Sequence, residues 1–440
     1  FARAISPTAT SLSALIAALA LLAPTSLHAS ENACPGLAAD NPARSMIEGR
    51  PEEARKSLES LSKTCPKSND VDFMLGMLEL NEAHYDAAIG HFRAILERNP
   101  DAARVRLELA RTYFLKGDDT KASFHFRLAQ AQDLPEAVHQ KIEAALDTIR
   151  QRRNWSLSIS FNIAPDSNIN AATNSPTVNI YGLPFRLDDN ARAKSGVGIG
   201  ASVGGSYYFP VSDNMKWQVG GTVSHTSYRD IGLSDTTLAE YTGPRFTWAR
   251  NELDVLAVTT QRHYDGSWFS RTYGARLQHK VDLTPRLSVR TTMSGAKVVY
   301  PTVKGYDGHI FDASFGGIYS LTTSSFATLT VGGARQIAEY GINSNRSWRA
   351  NLGYYRELPL GFSFFVEPGV TRTIYDSPMG IFGKTRQDWT KEAGIRLLNK
   401  KFEFMGFTPT IGYVHTVNDS NIDMFSYRRN RIEIGAVNRF

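Results

Sequence analysis

From Trp155 to Ile163 apolar and polar positions alternate without a break, with Trp155, Leu157, Ile159, Phe161 and Ile163 set against Ser156, Ser158, Ser160 and Asn162. A period of two gives a strand with one apolar and one polar face, and about nine residues are enough for a tilted strand to cross a hydrocarbon layer. Upstream the apolar residues fall at helical spacing, whereas similar alternating segments recur downstream to the last residue. The pattern predicts an α + β membrane protein in which a helical domain feeds an antiparallel transmembrane β-barrel.

Residues 155–440 resolve into about fourteen alternating segments. Val197, Ile199, Ala201 and Val203 share one face, as do Tyr273, Ala275, Leu277 and Val281, and later Phe362, Phe364, Val366 and Val370, with Gly, Ser, Asn, Arg and Glu opposite. Short turns are expected at 210–214, 250–252, 283–286, 322–325, 359–361 and 399–401. Longer links are expected near 164–195, 227–235, 264–268, 301–308, 339–346, 376–386 and 417–427. Such a count places both chain ends on the short-turn side, which puts the helical domain in the periplasm. Pro244, Pro368 and Pro409 fall inside otherwise good segments, where a missing N–H implies bulges or displaced boundaries.

Within residues 30–150 an interval of 34 superimposes Ala54, Ala88 and Ala122, then Leu58, Phe92 and Phe126, then Gly76 and Ala110. Pro66 and Pro100 close successive units, and the spacing matches the tetratricopeptide pattern. Small residues let paired helices approach, Phe and Leu fill the gap between neighbours, and residues 43–66 form a degraded first unit. A helix over 135–150 caps the stack. Such arrays present a concave surface to an extended peptide or a partner protein, although a short one also serves as a spacer or plug.

No run after the N-terminus reaches the roughly 18 apolar residues of a spanning helix, so membrane crossing must use strands. Residues 1–29 read as a signal peptide, with Arg3 followed by an apolar stretch from Leu12 to Ala23 and Leu27-His28-Ala29 before the cut. Cys34 and Cys65 either pair in an oxidising periplasm or remain two structural thiols. The net charge of +6 is concentrated in the strand region, residues 30–150 being slightly acidic. With no Lys/Arg run interleaved with aromatics, nucleic acid is a poor partner; phosphate-rich outer-leaflet lipid fits better, and a solvated surface accounts for the charge equally.

Candidate chemistry is thin. Gly200-Ala201-Ser202-Val203-Gly204 matches G-x-S-x-G, but Ser202 continues a strand where an esterase needs a strand-to-helix elbow. Asp166-Ser167-Asn168-Ile169-Asn170 opens like a calcium loop without its Gly at the sixth place or Glu at the twelfth. His84, His91, His125 and His139 lack ligand spacing. The sequence therefore points to no enzyme, cofactor or metal.

The stretch Asn162-Ile163-Ala164-Pro165-Asp166-Ser167-Asn168-Ile169-Asn170, on a first strand after tetratricopeptide-like repeats and ahead of about thirteen more strands ending in Phe440, resembles the surface lipoprotein assembly modulators of type XI secretion. The resemblance implies an outer-membrane translocator that carries lipoproteins or soluble secreted proteins from periplasm to cell surface, with partners that often capture haem or other metal sources. Outer-membrane lipid, lipopolysaccharide and the barrel-assembly machinery are further expected partners, the last reading Phe440 as its signal. For cargo binding the candidates are Tyr85, His91 and Tyr113 in the helical array and Pro165, Asp166, Ser167, Asn168 and Asn170 at the head of the first loop. The competing reading is a polysaccharide export channel or passive porin.

Overall fold

A computed structural model describes residues 42–228 and 233–438, with Cys34 and Leu37. The expected signal peptide and Phe440 lie outside the described residues. The chain divides into two compact units between Arg152 and Arg153.

The first unit contains α1 (Pro42–Ile47), α2 (Pro51–Thr64), α3 (Asn69–Asn81), α4 (Tyr85–Arg98), α5 (Ala103–Lys116), α6 (Asp119–Ala129) and α7 (Glu136–Arg152). Helices α2, α4 and α6 start at 51, 85 and 119, so the interval of 34 read from the sequence is the interval of the helices. Each boundary has a local cause. Ser68 accepts a hydrogen bond from the Val71 amide to open α3, Asp118 does so from Lys121 to open α6, and Gly117 ends α5 at φ 88°. Ala54, Ala88 and Ala122 are wholly buried, as are Leu58 and Phe92. At Gly76 an added Cβ would lie 2.7 Å from Cε1 of Phe92, so the absent side chain is what lets α3 and α4 close on each other.

Helix α5 is buried from Val105 to Tyr113 and takes charge inside with it. Arg106, with no exposed surface, meets Nδ1 of His125 at 3.1 Å and donates to the Pro100 carbonyl at 2.7 Å. Its guanidinium thus holds the end of one repeat against the helices of the next. Cys34 and Cys65 form a disulfide spanning 31 positions, which settles the alternative left by the sequence.

The second unit is a closed barrel. Its strands are β1 (Trp155–Asp166), β4 (Gly196–Ser212), β5 (Met215–Tyr228), β6 (Asp235–Trp248), β7 (Asn251–Tyr264), β8 (Ser267–Thr284), β9 (Leu287–Val299), β10 (Gly308–Thr322), β11 (Ser325–Ala338), β12 (Asn345–Glu357), β13 (Phe362–Met379), β14 (Lys384–Asn399), β15 (Thr408–Ser420) and β16 (Tyr427–Asn438). Each pairs antiparallel with its sequence neighbours, and β1 closes the ring by pairing with both β4 and β16. A small hairpin, β2 (Thr177–Ile180) and β3 (Leu183–Arg186), stands apart in the first loop. Trp155, Leu157, Phe161 and Ile163 are exposed on the outer wall as the alternation requires.

Several inward positions carry paired polar groups. Arg245 donates to Asp254 at 2.6 and 2.7 Å, Lys280 to Glu252 at 2.9 Å and Arg349 to Asp312 at 2.6 Å. Three expectations need correction. Pro244, Pro368 and Pro409 cause no register shift, because each costs a donor toward one neighbour while pairing on the other side continues. Shifts occur instead next to turns, as between Pro210 and Ser212 and between Asp282 and Thr284. The link expected over 264–268 shrinks to Asp265-Gly266, both at positive φ, and the turn expected at 399–401 lengthens to 400–407.

Carboxylates in the array are tied to cations. Burial alone would raise the Asp72 carboxyl, but hydrogen bonds from His91 and Arg98 hold it below its ordinary value; Glu79 is likewise held down by Arg55 and His84 against its own burial. A folded-state value below the unfolded one stabilises the array above about pH 4 and is lost as pH falls through the folded value. The helical melt, followed at 222 nm, is therefore expected to drop on acidification below about pH 4, and Asp72→Asn should flatten that slope. Reduction of the disulfide should cost about 3–4 kcal/mol from loop closure, and Gly76→Val about 1–3 kcal/mol from overpacking against Phe92.

Candidate functional site

The stretch singled out in the sequence forms a latch where β1 leaves the barrel. Pro165 still belongs to β1 and pairs with Val197 of β4, but it has no N–H to offer β16. Beyond it, side chains reinforce the ladder. Asp166, its carboxylate fully buried, accepts two hydrogen bonds from Nε of Arg429 on β16, at 3.0 and 2.8 Å, and one from the Asn168 amide at 2.9 Å. Ser167 exchanges hydrogen bonds with Asn430, its amide donating to the Asn430 carbonyl at 3.0 Å and its Oγ accepting from the Asn430 amide at 2.8 Å.

Asn168 has no exposed surface. Its Nδ2 donates to the carbonyls of Ala172 at 2.8 Å and Arg428 at 3.1 Å, while Oδ1 accepts from the Ala172 amide at 3.1 Å. Asn170 ties the other end of the loop, donating to the Arg192 carbonyl at 2.8 Å and accepting from the Lys194 amide at 2.9 Å. Both carboxylate oxygens of Asp166 are engaged by protein donors, so the calcium-loop likeness has a structural explanation that needs no ion.

The latched loop, residues 167–195, is ordered by distant contacts. Val178 of β2 is buried with Phe382, from the link after β13, and Ile422, from the link after β15, and Ile180, Leu187, Met379, Met424 and Phe425 pack around them. Tyr181 donates to the Gly380 carbonyl at 2.8 Å. Tyr181 at φ 52° and Gly182 at φ 83° make the tight turn of the hairpin, and Tyr181, Leu183 and Phe185 stay exposed. Three long links are thus fastened together by one apolar cluster, with an apolar hairpin edge left outside.

The helical candidates are placed differently. Tyr113 is buried, its ring stacked 5.6 Å from His125, so it fills the space between α5 and α6. Tyr85 is half-buried against the core, and His91 faces Asp72 at 3.4 Å. Glu79, Glu82 and His84 converge closely enough to hold a metal ion. Arg55 occupies that position electrostatically, reaching Glu82 at 2.6 Å and also binding Glu79, and so joins α2 to α3. Ser202, in mid-strand, lies in register between Ser160 and Ser224.

One feature of the wall escaped the sequence reading. Glu240 breaks the outward alternation of β6 within the lipid-facing band, and no hydrogen bond or ion pair reaches it among the described residues. Gly205 and Gly221, opposed in register, lie beside it, and with Leu157, Val203, Val219 and Val223 they line an open recess of about 660 Å³. A carboxylate in that band costs free energy, so Glu240 works against the stability of the barrel. The local signal was a single Glu at an apolar-phase position between Leu238 and Thr242.

Comparison with known proteins agrees with this architecture. A family described as surface lipoprotein assembly modifier matches residues 155–440, and a tetratricopeptide repeat family matches residues 79–146. The chain is similar to surface lipoprotein assembly modifier 1 of Neisseria meningitidis, 23% identical over 367 residues covering 81% of this chain and 73% of that one. It is similar also to the hemophilin secretion modulator of Acinetobacter baumannii, 21% identical over 392 residues covering 84% and 79%. Among solved structures the outer membrane channel DcaP of A. baumannii gives a TM-score of 0.39 at 10% identity, covering 65% of this chain and 97% of that one.

Asp166→Ala leaves Arg429 half-buried without its carboxylate, and loss of such a pair costs about 3–5 kcal/mol. The expected result is faster proteolysis within residues 170–193 in a barrel that still resists heat and detergent; an unchanged cleavage rate would count against the latch. Glu240→Leu is expected to stabilise the barrel by about 1–2 kcal/mol in a urea titration.

Proposed function

The chain belongs to the surface lipoprotein assembly modifier family, and on that premise we propose that it carries partner proteins from periplasm to cell surface. The cargo class is lipoproteins or soluble secreted proteins, the latter suggested by the secretion role in the name of the A. baumannii relative. The protein resides in the outer membrane, as its closed fourteen-strand barrel and apolar outer wall require.

The observation that carries the proposal is the coupling, in one chain, of a closed barrel to a repeat array joined to it through Arg152 and Arg153. A passive pore has no use for a peptide-binding array on its polypeptide. In this reading the array lies in the periplasm and receives cargo that is still extended, and the barrel supplies the route across. The latched first loop governs the outer mouth, with Tyr181, Leu183 and Phe185 offering apolar contact to cargo as it emerges. No nucleotide drives the step; folding or retention outside gives it direction.

The test is protease accessibility, on intact cells, of a candidate surface lipoprotein or secreted protein from the same organism, with and without the chain present. Loss of exposure at unchanged total cargo and unchanged barrel assembly is the expected result. Deleting the hairpin 177–186 should lower exposure several-fold while the barrel still assembles. If exposure is untouched and small-solute or glycan flux falls instead, the protein is a channel.

A further inference from the structure

The outward face of β11 to β14, close to the long links, carries four cations: Arg335, Arg346, Arg372 and Lys391. Arg335 and Arg346 oppose each other directly in register, an arrangement that costs stability unless an anion stands nearby. Two are matched within the protein, since Arg335 forks Asp376, with one contact at 2.7 Å, and Lys391 reaches Asp419 at 2.9 Å. Arg346 and Arg372 take no carboxylate in an ion pair of their own among the described residues.

Those two guanidinium groups are instead set on tryptophan. Arg346 lies 5.8 Å from the Trp348 ring and Arg372 lies 5.0 Å from the Trp389 ring, and Arg372 stands in register between the two tryptophans. Arg372 also donates to Oε1 of Gln387. Both tryptophans are exposed on the outer wall. Exposed tryptophans on a barrel wall mark the membrane–water interface, so these guanidinium groups lie at headgroup depth, where their charge is tolerated. Stacking on a ring fixes the guanidinium plane, and the N–H groups that Arg372 does not spend on Gln387, with those of Arg346, match phosphate oxygens. Toward the membrane the same wall continues as Ala350, Leu352, Val366 and Val370, which suit acyl chains and nothing soluble.

We propose that this face is a binding site for the phosphorylated headgroup of an acylated glycolipid of the outer leaflet, with Arg346 and Arg372 holding the phosphate. The site rests on the orientation used above, in which the long links face the cell exterior. It is independent of what the barrel transports. Asp376, two residues beyond the Ile374 partner of Arg346 and forked by Arg335, limits the patch to one phosphate, because a second anion there would face the carboxylate.

The test uses the full chain in detergent and native mass spectrometry, titrating bis-phosphorylated lipid A, the same glycolipid with both phosphates removed, and inorganic phosphate as competitor. The phosphorylated form is expected to bind at least about tenfold more tightly than the dephosphorylated one, the loss corresponding to charge-assisted hydrogen bonds. Arg346→Gln with Arg372→Gln should remove that preference, while Lys297→Gln, on β9 at the same end of the wall, should leave it intact. Heat-modifiable migration on gels confirms that each variant barrel is folded. Equal binding of the two glycolipids, equal binding by the double variant, or displacement by millimolar inorganic phosphate would each overturn the proposal. Cargo display by the double variant separates the two readings: lipid preference lost with display kept leaves the transport proposal standing, and the reverse result leaves the site standing.

Discussion

Hydrocarbon offers no hydrogen bonds, so a sheet that crosses it must satisfy every backbone group within itself, and everything in the second unit follows from that requirement. The ring closes only because β1 finds β16, and that seam joins residues some 260 positions apart in sequence. It is also where the chain gives up a donor, at Pro165, between the Ile163–Ile434 and Asp166–Arg431 pairs. The fold answers with Asp166, Ser167 and Asn168, whose side chains and amides reach Arg429, Asn430 and the Arg428 carbonyl. Buried hydrogen bonds to a charged group are worth more than the neutral ladder bond that the proline removed. At its long-link end the seam is therefore held by polar side chains in addition to backbone.

The first unit solves a different problem with the same economy of means. Tetratricopeptide helices must approach closely enough to exclude water, and Ala54, Ala88, Ala122 and Gly76 set that distance by what they lack. Because so few units are present, apolar burial alone is modest, and the array adds a disulfide at its start, an internal Arg106–His125 contact and the Arg55–Glu79–Glu82 cluster between α2 and α3. The last two each join one helix to the next, and the disulfide ties the segment before α1 to the end of α2.

What the sequence made legible was periodicity. Alternation in Trp155–Ile163 and the interval of 34 from Ala54 to Ala122 are local or repeated signals, and they sufficed for the helices, the fourteen strands and most turns. The motif around Asp166 was noticed as distinctive, but its role depends on Arg429, a partner 263 positions away that no local pattern announces. Tyr113 stood as a cargo-binding candidate because helical spacing cannot tell a groove from the gap between two helices, and there it stacks on His125. The order of the first loop depends on Val178 meeting Phe382 and Ile422, three residues from three separate links. Glu240 went unread although it breaks the phase of β6, because its weight comes from knowing which face meets lipid.

The geometry also constrains how such a barrel can open. A closed hydrogen-bonded wall cannot widen without breaking a whole ladder at once, so a conformational change of low cost must lie in the links or at the seam. Here these two are the same place. Asn168 bonds to β16 through the Arg428 carbonyl and to its own loop through Ala172, so one residue fastens lid and wall together. Lifting the first loop from Phe382 and Ile422 would pull on the Asp166–Arg429 pair, and loosening the seam would free the loop. Displacement of the first loop and strain at the seam are thereby coupled through a few side chains.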